Sequence, residues 1–372
     1  MEILRFSMND PADYHLPEVK IDPRCWNNGM VVRMPNHLGD AVMAIPALCA
    51  LKKIIPKYCG LFVVAPNMYR LFYAALPEVD GFLGLSAAHA NWSFREIGEL
   101  KKLRLGVGVL FNNSPRDVIA MRLAGVRSLY GSSARGRFLL LTDSFRFKHQ
   151  QIPGRRAGEH LTSRYLAMAM ALGAPAWDGT LPEFRFLRDG DENKNRIHAW
   201  CEHPDMLLLG PGAAYGDAKC YDSMNYNRIA RWWISRGGVA VVAGSKSEAG
   251  TGREVCAGLP ENKCVNLCGQ TDLQELMQLM RYSRFMVCND SGIMHLGAVL
   301  GKPGIAIFGS TDPTATGPIS AAWSCVSERI DCSPCFKHVC PHGHKKCMQQ
   351  VKVEDIIELI EKAVAVNNKT VN

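Results

Sequence analysis

The chain has 372 residues, 47% hydrophobic and 21% charged, the balance of a folded protein long enough for two domains. A formal net charge of +8 favours anionic partners such as phosphates, nucleic acid or an acidic membrane face, without choosing among them. No apolar run approaches the roughly 18 residues of a membrane span, and no basic start followed by an apolar stretch marks a secretory leader; a cytoplasmic protein is expected, its 14 cysteines thiols or metal ligands rather than disulfides.

Residues 1–28 are polar and turn-rich and read as an N-terminal extension. "GMVVRMP" (29–35) predicts a strand, and "NHLGDAVMAIPALCALKKIIP" (36–56) a loop opening a helix, with Lys52 and Lys53 near the end where cations suit the macrodipole. "GLFVVAP" (60–66) and part of "LRLGVGVLFNNS" (103–114) predict further strands. The charged, turn-rich "EFRFLRDGDENKN" (183–195) is the expected linker, which places one domain at 29–190 and a second at 191–350.

The second domain repeats the cycle. Strands are expected at 206–212, 238–244, 263–269, 283–288 and 302–310, and helices near 222–236, 247–258, 272–282 and from 292 onward. Residues 351–372 form a tail that contains an amphipathic helix at 353–366. Alternation of strand and helix at this spacing predicts an α/β protein with two parallel sheets of Rossmann-like plan. Ligands of such sheets bind off the carboxyl ends of the strands. Four loops lie there: "PNHLGDA" (35–41), "GPGAAYGDAK" (210–219), "AGSKSEAG" (243–250) and "NDSGIMH" (289–295).

In "NDSGIMH", Asp290 or Ser291 can cap a helix whose first N–H groups lie open, and Gly292 lets a diphosphate approach the backbone. An ordinary capped helix in a buried corner, with His295 a satisfied core histidine, explains the same residues. "GPGAAYGDAK" offers Gly212 and Gly216 for flexibility and Lys219 as a point charge for phosphate, or else a turn with a solvated lysine. It lacks the Gly-Lys-Ser/Thr ending of a Walker loop. Asp40 opens a helix, either as a general base or as a first-turn acid that suits the dipole. Asn112 and Asn113 can bond a sugar hydroxyl or form a turn.

"CSPCFKHVCPHGHKKC" carries Cys332, Cys335, Cys340 and Cys347 with three histidines between, a set that can build a structural zinc site or remain a reduced loop. Arginines gather at 116, 122, 127, 135, 137, 155 and 156, as a solvated face or as a patch for an anionic acceptor or membrane surface.

Taken in order, "HLGDAVMAIPAL", "PGAAYGDAKCY", "NDSGIMHLGAVLGKP" and "FGSTDPTATGP" resemble the motifs of the lipopolysaccharide core heptosyltransferases of glycosyltransferase family 9, the heptosyltransferase II type most of all. The resemblance spans residues 30–318. It implies a GT-B fold, two Rossmann-like domains with their sheets facing across a cleft. It also implies an inverting transfer of heptose from an ADP-sugar to a lipid-linked core oligosaccharide of lipid A–Kdo type, at the inner face of the cytoplasmic membrane.

By motif position, Asp40 is then the general base, Lys219 contacts the phosphates, and Ser291 and Gly292 supply backbone donors. Asp290 and His295 lie near the sugar. Gly212 belongs to the same donor site, and Glu248 is the candidate partner of the ribose. Asn113, Arg135 and Arg137 are candidates for the acceptor side. No catalytic cofactor is implied. The chain departs from the family where Pro-Gly-Ala-Glu reads "PGAA", ending on Ala214, and where "CYD" replaces Arg-Trp-Pro.

Two other readings fit less well. A sugar-nucleotide epimerase shares the fold, but its motif set is not found. A zinc-bearing nucleic-acid binder needs aromatic residues interleaved with its basic ones, which this chain lacks, so nucleic acid is not an expected partner.

Overall fold

Runs of residues buried on both faces build the two sheets, as parallel strands covered by helices on either side require. The computed structural model describes residues 1–86, 92–147, 159–186, 195–213 and 216–369. The chain divides into one unit of Met8–Leu187 and another of Met1–Ser7 with Arg188–Asn372.

The strands in chain order are β1 (Glu2–Arg5), β2 (Gly29–Arg33), β3 (Gly60–Pro66), β4 (Gly81–Leu85), β5 (Val107–Leu110), β6 (Ser128–Ser132) and β7 (Asp143–Phe145). Then follow β8 (Met206–Gly210), β9 (Val239–Val242), β10 (Cys264–Asn266), β11 (Phe285–Asn289), β12 (Gly304–Phe308) and β13 (Trp323–Ser327). The 8–187 unit holds a sheet of order β4-β3-β2-β5-β6-β7, parallel throughout. The other sheet runs β1-β13-β12-β11-β8-β9-β10, with only β1 antiparallel. Every residue of β2, β5, β8, β9, β11 and β12 is buried, which is why these strands read as continuous apolar runs.

In each sheet the strand order reverses beside the first parallel strand. The reversal lies between β2 and β5 in one unit and between β8 and β11 in the other. Connections leave such a pair in opposite directions, so a crevice opens at their carboxyl ends. Those ends carry the loops with Asp40 and Asn113 in one unit, and with Lys219 and Asp290 in the other.

Two expectations are corrected. Residues 1–28 do not form one extension: Glu2–Arg5 pairs with Ser324–Ser327, while Asn9 holds the backbone of His160 and the hydroxyl of Ser163 in the other unit. A four-residue edge strand shows too little alternation to be recognised beforehand. The helix expected across 36–56 is two helices, Leu38–Met43 and Ile45–Lys52, meeting at Ala44. Pro46, without an N–H, is tolerated only in the first turn of the second helix. β4, β6, β7 and β13 have no counterpart among the strands expected from the sequence. Among the described residues, no helix is long and apolar enough to cross a membrane.

β1 covers the otherwise open edge of β13. Deleting residues 1–6 is therefore expected to speed amide exchange across 324–327 by at least about tenfold, with β2 and β5 unaffected; hydrogen-exchange mass spectrometry measures both.

Candidate active site

The reversal in the 188–372 unit is held together by Asn289, the last residue of β11 and fully buried. Its amide donates to the carbonyl of Pro211 at 2.5 Å and accepts from the Tyr226 hydroxyl at 2.9 Å and the Tyr221 N–H at 3.2 Å. The end of β11 is thereby tied to the loop after β8 and to the start of the following helix.

Next in the chain, Asp290 is 5% exposed and accepts two bonds on Oδ2, from Lys219 Nζ at 2.6 Å and from Thr311 Oγ1 at 2.7 Å. Three carboxyl-end loops, after β8, β11 and β12, therefore meet on one carboxylate. The ion pair holds the Lys219 ammonium in place, and a cation ordered in advance loses little freedom when an anion arrives.

Ser291 is the N-cap of Gly292–Val299 by position, in extended conformation, yet its side chain makes no cap bond. Its Oγ is buried and, among the described residues, has no hydrogen-bond partner. The first-turn N–H groups are thus not consumed by the serine, and the positive helix end lies beside Lys219. His295 sits one turn on, 3% exposed among Met294 and Leu296.

Gly212 and Glu248 are neighbours: a Cβ at position 212 would stand 1.9 Å from Glu248 Oε1. Glu248 Oε2 takes the Ser245 hydroxyl at 2.8 Å and the Ser245 N–H at 2.5 Å, a capping box, so its other oxygen is the one turned to Gly212. Ala214 lies outside the described residues.

In the 8–187 unit, Asp40 is half-buried in the first turn of its helix, at the carboxyl end of β2. Burial, and then the Asp40 charge, push Tyr69 up to about 12, and the same two causes raise Tyr165 further. The loop before Asp40 is anchored by Arg33, fully buried and paired with Asp117 at 3.3 Å. Arg33 also donates to Asn36 Oδ1 at 2.6 Å. Trp92 Nε1 donates to Asp117 at 2.5 Å, and the Asn112 amide donates to it as well. Asn112, a candidate for sugar binding, is therefore turned toward the structural carboxylate.

The three acceptor-side candidates have different surroundings. Asn113 is exposed and accepts from Ser132 Oγ at 2.6 Å, and Arg135 is exposed. Arg137 is 1% exposed, so it does not belong to a solvated basic face. Its Nε donates to the Ser132 carbonyl at 2.8 Å and its Nη2 to Ser132 Oγ at 3.0 Å. Burial lowers it to about 10, with the Asp117 charge opposing. Gly131 leaves the room for it, since a Cβ there would lie 2.9 Å from Nη2. Arg122 also departs from the expected patch, its guanidinium bonding the carbonyls of Leu140, Val126 and Arg127. Arg155 and Arg156 lie outside the described residues.

A cavity of about 290 Å³, lined by Asp205, Trp232, Arg236 and Arg284 among others, lies at the amino ends of β8, β9 and β11. That edge carries none of the candidate residues.

The sequence profile of glycosyltransferase family 9 (heptosyltransferase) matches residues 122–346, more than half of the chain. The chain belongs to this family. A lipooligosaccharide heptosyltransferase 2 of Campylobacter jejuni (serotype O:2, NCTC 11168) is 33% identical over 88% of this chain and 95% of its own length. One of Haemophilus ducreyi is 28% identical over 77% of this chain and 84% of its own. The solved E. coli ADP-heptose LPS heptosyltransferase II superposes with a TM-score of 0.72 over 91% of this chain and 99% of that one, at 22% identity. The fold is the GT-B type of two Rossmann-like domains, and the protein is a glycosyltransferase.

Thr311, Asn289 and Asp117 were not singled out from the sequence. Thr311 stands within "FGSTDPTATGP" and Asn289 opens "NDSGIMHL", so position in a motif was the available signal; Asp117 offered none.

Because Lys219 is mostly buried against Asp290, removing the carboxylate strands a charge. Asp290→Ala is expected to cost about 3–5 kcal/mol, and Asp290→Asn, which keeps an acceptor for Lys219 and Thr311, clearly less. Amide exchange at 285–289 under rising urea measures both, and equal losses would contradict the assignment.

Proposed function

We propose that this chain transfers L-glycero-D-manno-heptose, with inversion, from an ADP-activated donor to the inner core of lipopolysaccharide on a lipid A–Kdo type acceptor. The observation that carries the reading is the convergence on Asp290 of Lys219, Thr311 and the uncapped start of the 292–299 helix, a ready seat for a diphosphate. Relatives named lipooligosaccharide heptosyltransferase 2, and the E. coli protein whose description names ADP-heptose, support the choice of sugar and nucleotide.

In this reading Asp40 removes the proton from the acceptor hydroxyl, and that oxygen attacks the anomeric carbon of the donor as the bond to the diphosphate breaks. ADP leaves with its new charge met by Lys219 and by the N–H groups of Ser291 and Gly292. Gly212 gives the nucleotide close approach, Glu248 offers the ribose the oxygen turned to Gly212, and His295 serves the sugar from the first helical turn. Asn113 and Arg135 meet the acceptor, with Arg137 holding Ser132 beneath Asn113. The reaction is a single displacement, for which a base and charge stabilisation of the leaving group are enough.

The acceptor is lipid-linked, and the 8–187 unit has a surface suited to a membrane. Leu139 is 80% and Phe138 50% exposed, on the 134–140 segment that packs against the Pro115–Leu123 helix. Ile119 and Leu123 on that helix are exposed too, as are Arg116 on the same helix, Arg127 just after it and Arg135 on the 134–140 segment. Exposed apolar side chains and arginines on the same elements fit the anionic inner face of the cytoplasmic membrane.

Purified chain incubated with ADP-heptose and heptose-deficient core acceptor should give the heptosylated product by mass spectrometry, and UDP- or GDP-sugars should not substitute. Asp40→Asn is expected to cut transfer by about 10²–10⁴-fold while ADP affinity, by calorimetry, stays within about twofold; activity above a tenth of the wild type would remove Asp40 from the role. Phe138→Ser with Leu139→Asp should abolish co-sedimentation with anionic vesicles yet leave transfer to a water-soluble acceptor unchanged.

A further inference from the structure

Residues 332–347 serve the donor side in a way that the transfer chemistry does not account for. The segment runs from Asp331 to Lys345 without helix or strand, and its exposed Val339 contributes nothing to a core. Yet it holds two loops of the site. The His338 carbonyl accepts the Ala218 N–H at 3.1 Å, and Lys345 pairs with Asp217 at 2.8 Å, the two residues that precede Lys219 in its turn. Ser333 donates to the Gly309 carbonyl at 2.5 Å, and the Phe336 N–H donates to that of Ser310 at 2.7 Å, just before Thr311. Gly216 is pressed so closely on the segment that a Cβ would lie 2.2 Å from the His338 carbonyl, at a φ of +117°. Both partners of Asp290 therefore hang on an irregular strip of chain.

Such a strip, with little apolar surface to bury, needs a cross-link to stay in one conformation. The structure supplies four free thiols and no disulfide among them. Cys332, Cys335, Cys340 and Cys347 all line one enclosed cavity of about 10 Å³, room for a single water-sized body. The Lys345 N–H donates to Cys340 Sγ at 3.4 Å, so the backbone of the segment already holds one of the four sulfurs. Among the described residues no three His, Cys, Asp or Glu side chains already stand in coordinating positions. With one ion in that cavity, each sulfur would stand about 2.3 Å from it.

We propose that these four cysteines bind one zinc ion, which fixes the 332–347 segment and through it the loops that present Lys219 and Thr311. Four thiolates in tetrahedral array are the donor set of a closed structural site. The ion takes no part in the transfer; it sets where Lys219 stands.

Metal content tests the site independently of the proposed reaction, and only an ADP-affinity measurement rests on that reading. Reduced chain purified without chelator should carry about one zinc by inductively coupled plasma mass spectrometry, falling below about a tenth in Cys332→Ser/Cys340→Ser. If that variant does not fold, cobalt-substituted wild type should show the thiolate-to-metal charge-transfer bands of a tetrahedral sulfur site. Zinc removal should weaken ADP binding at least about tenfold while circular dichroism changes little. The site is overturned by metal-free wild type that takes up no added zinc, by zinc retained in the double variant, or by native disulfides among the four. One iron in place of zinc supports the thiolate site and overturns the choice of metal. Unchanged ADP affinity in zinc-depleted, folded chain overturns the link to Lys219.

Discussion

A parallel sheet whose strand order reverses at its first strand cannot close over its own carboxyl edge at the reversal, and the rest of this protein is organised around that opening. The reversal occurs twice, beside β2 and beside β8. In each unit the strands on either side are fully buried, so their ends are rigid and only the loops beyond them vary. Chemistry-bearing residues far apart in sequence then need only to terminate neighbouring strands to meet. Lys219 and Asp290 are brought to 2.6 Å in this way.

Each crevice contains a low-exposure ion pair, and the two pairs differ in kind. Arg33–Asp117 has both side chains almost wholly buried, with further donors from Trp92 and Asn112 on the carboxylate. Desolvation of both charges there is met by hydrogen bonds, and the pair's effect is to hold the loop before Asp40 in one conformation. Lys219–Asp290 leaves the lysine 17% exposed at a helix start whose N-cap serine does not cap. One carboxylate oxygen takes two donors while the cation keeps some exposure, the arrangement expected where an anion is to be received.

The loops themselves are too short to define their own geometry. The 216–219 turn bonds the His338 carbonyl of 332–347, and the 309–311 turn bonds the Ser333 hydroxyl and the Phe336 N–H. Strand ends thus fix where the two loops begin, and the cysteine-rich segment bonds both of them.

Buried parallel strands announce themselves as apolar runs, so β2, β3, β8, β9, β11 and β12 were legible in the sequence, as were the loops at their carboxyl ends and the family resemblance those loops carry. Four-residue edge pairing, as in β1, carries too little pattern to be read. Composition likewise placed Arg137 on a basic face, because a residue type does not state its burial; the missing side chain of Gly131 gave it room inside. The sequence determined which residues stand at strand ends, since local hydrophobic periodicity is a property of contiguous residues. Only the tertiary structure decided that Lys219 pairs with Asp290, that Asn289 ties β11 to the loop after β8, and that four thiols share one cavity, because the order of strands in a sheet is settled by long-range packing that no local stretch encodes.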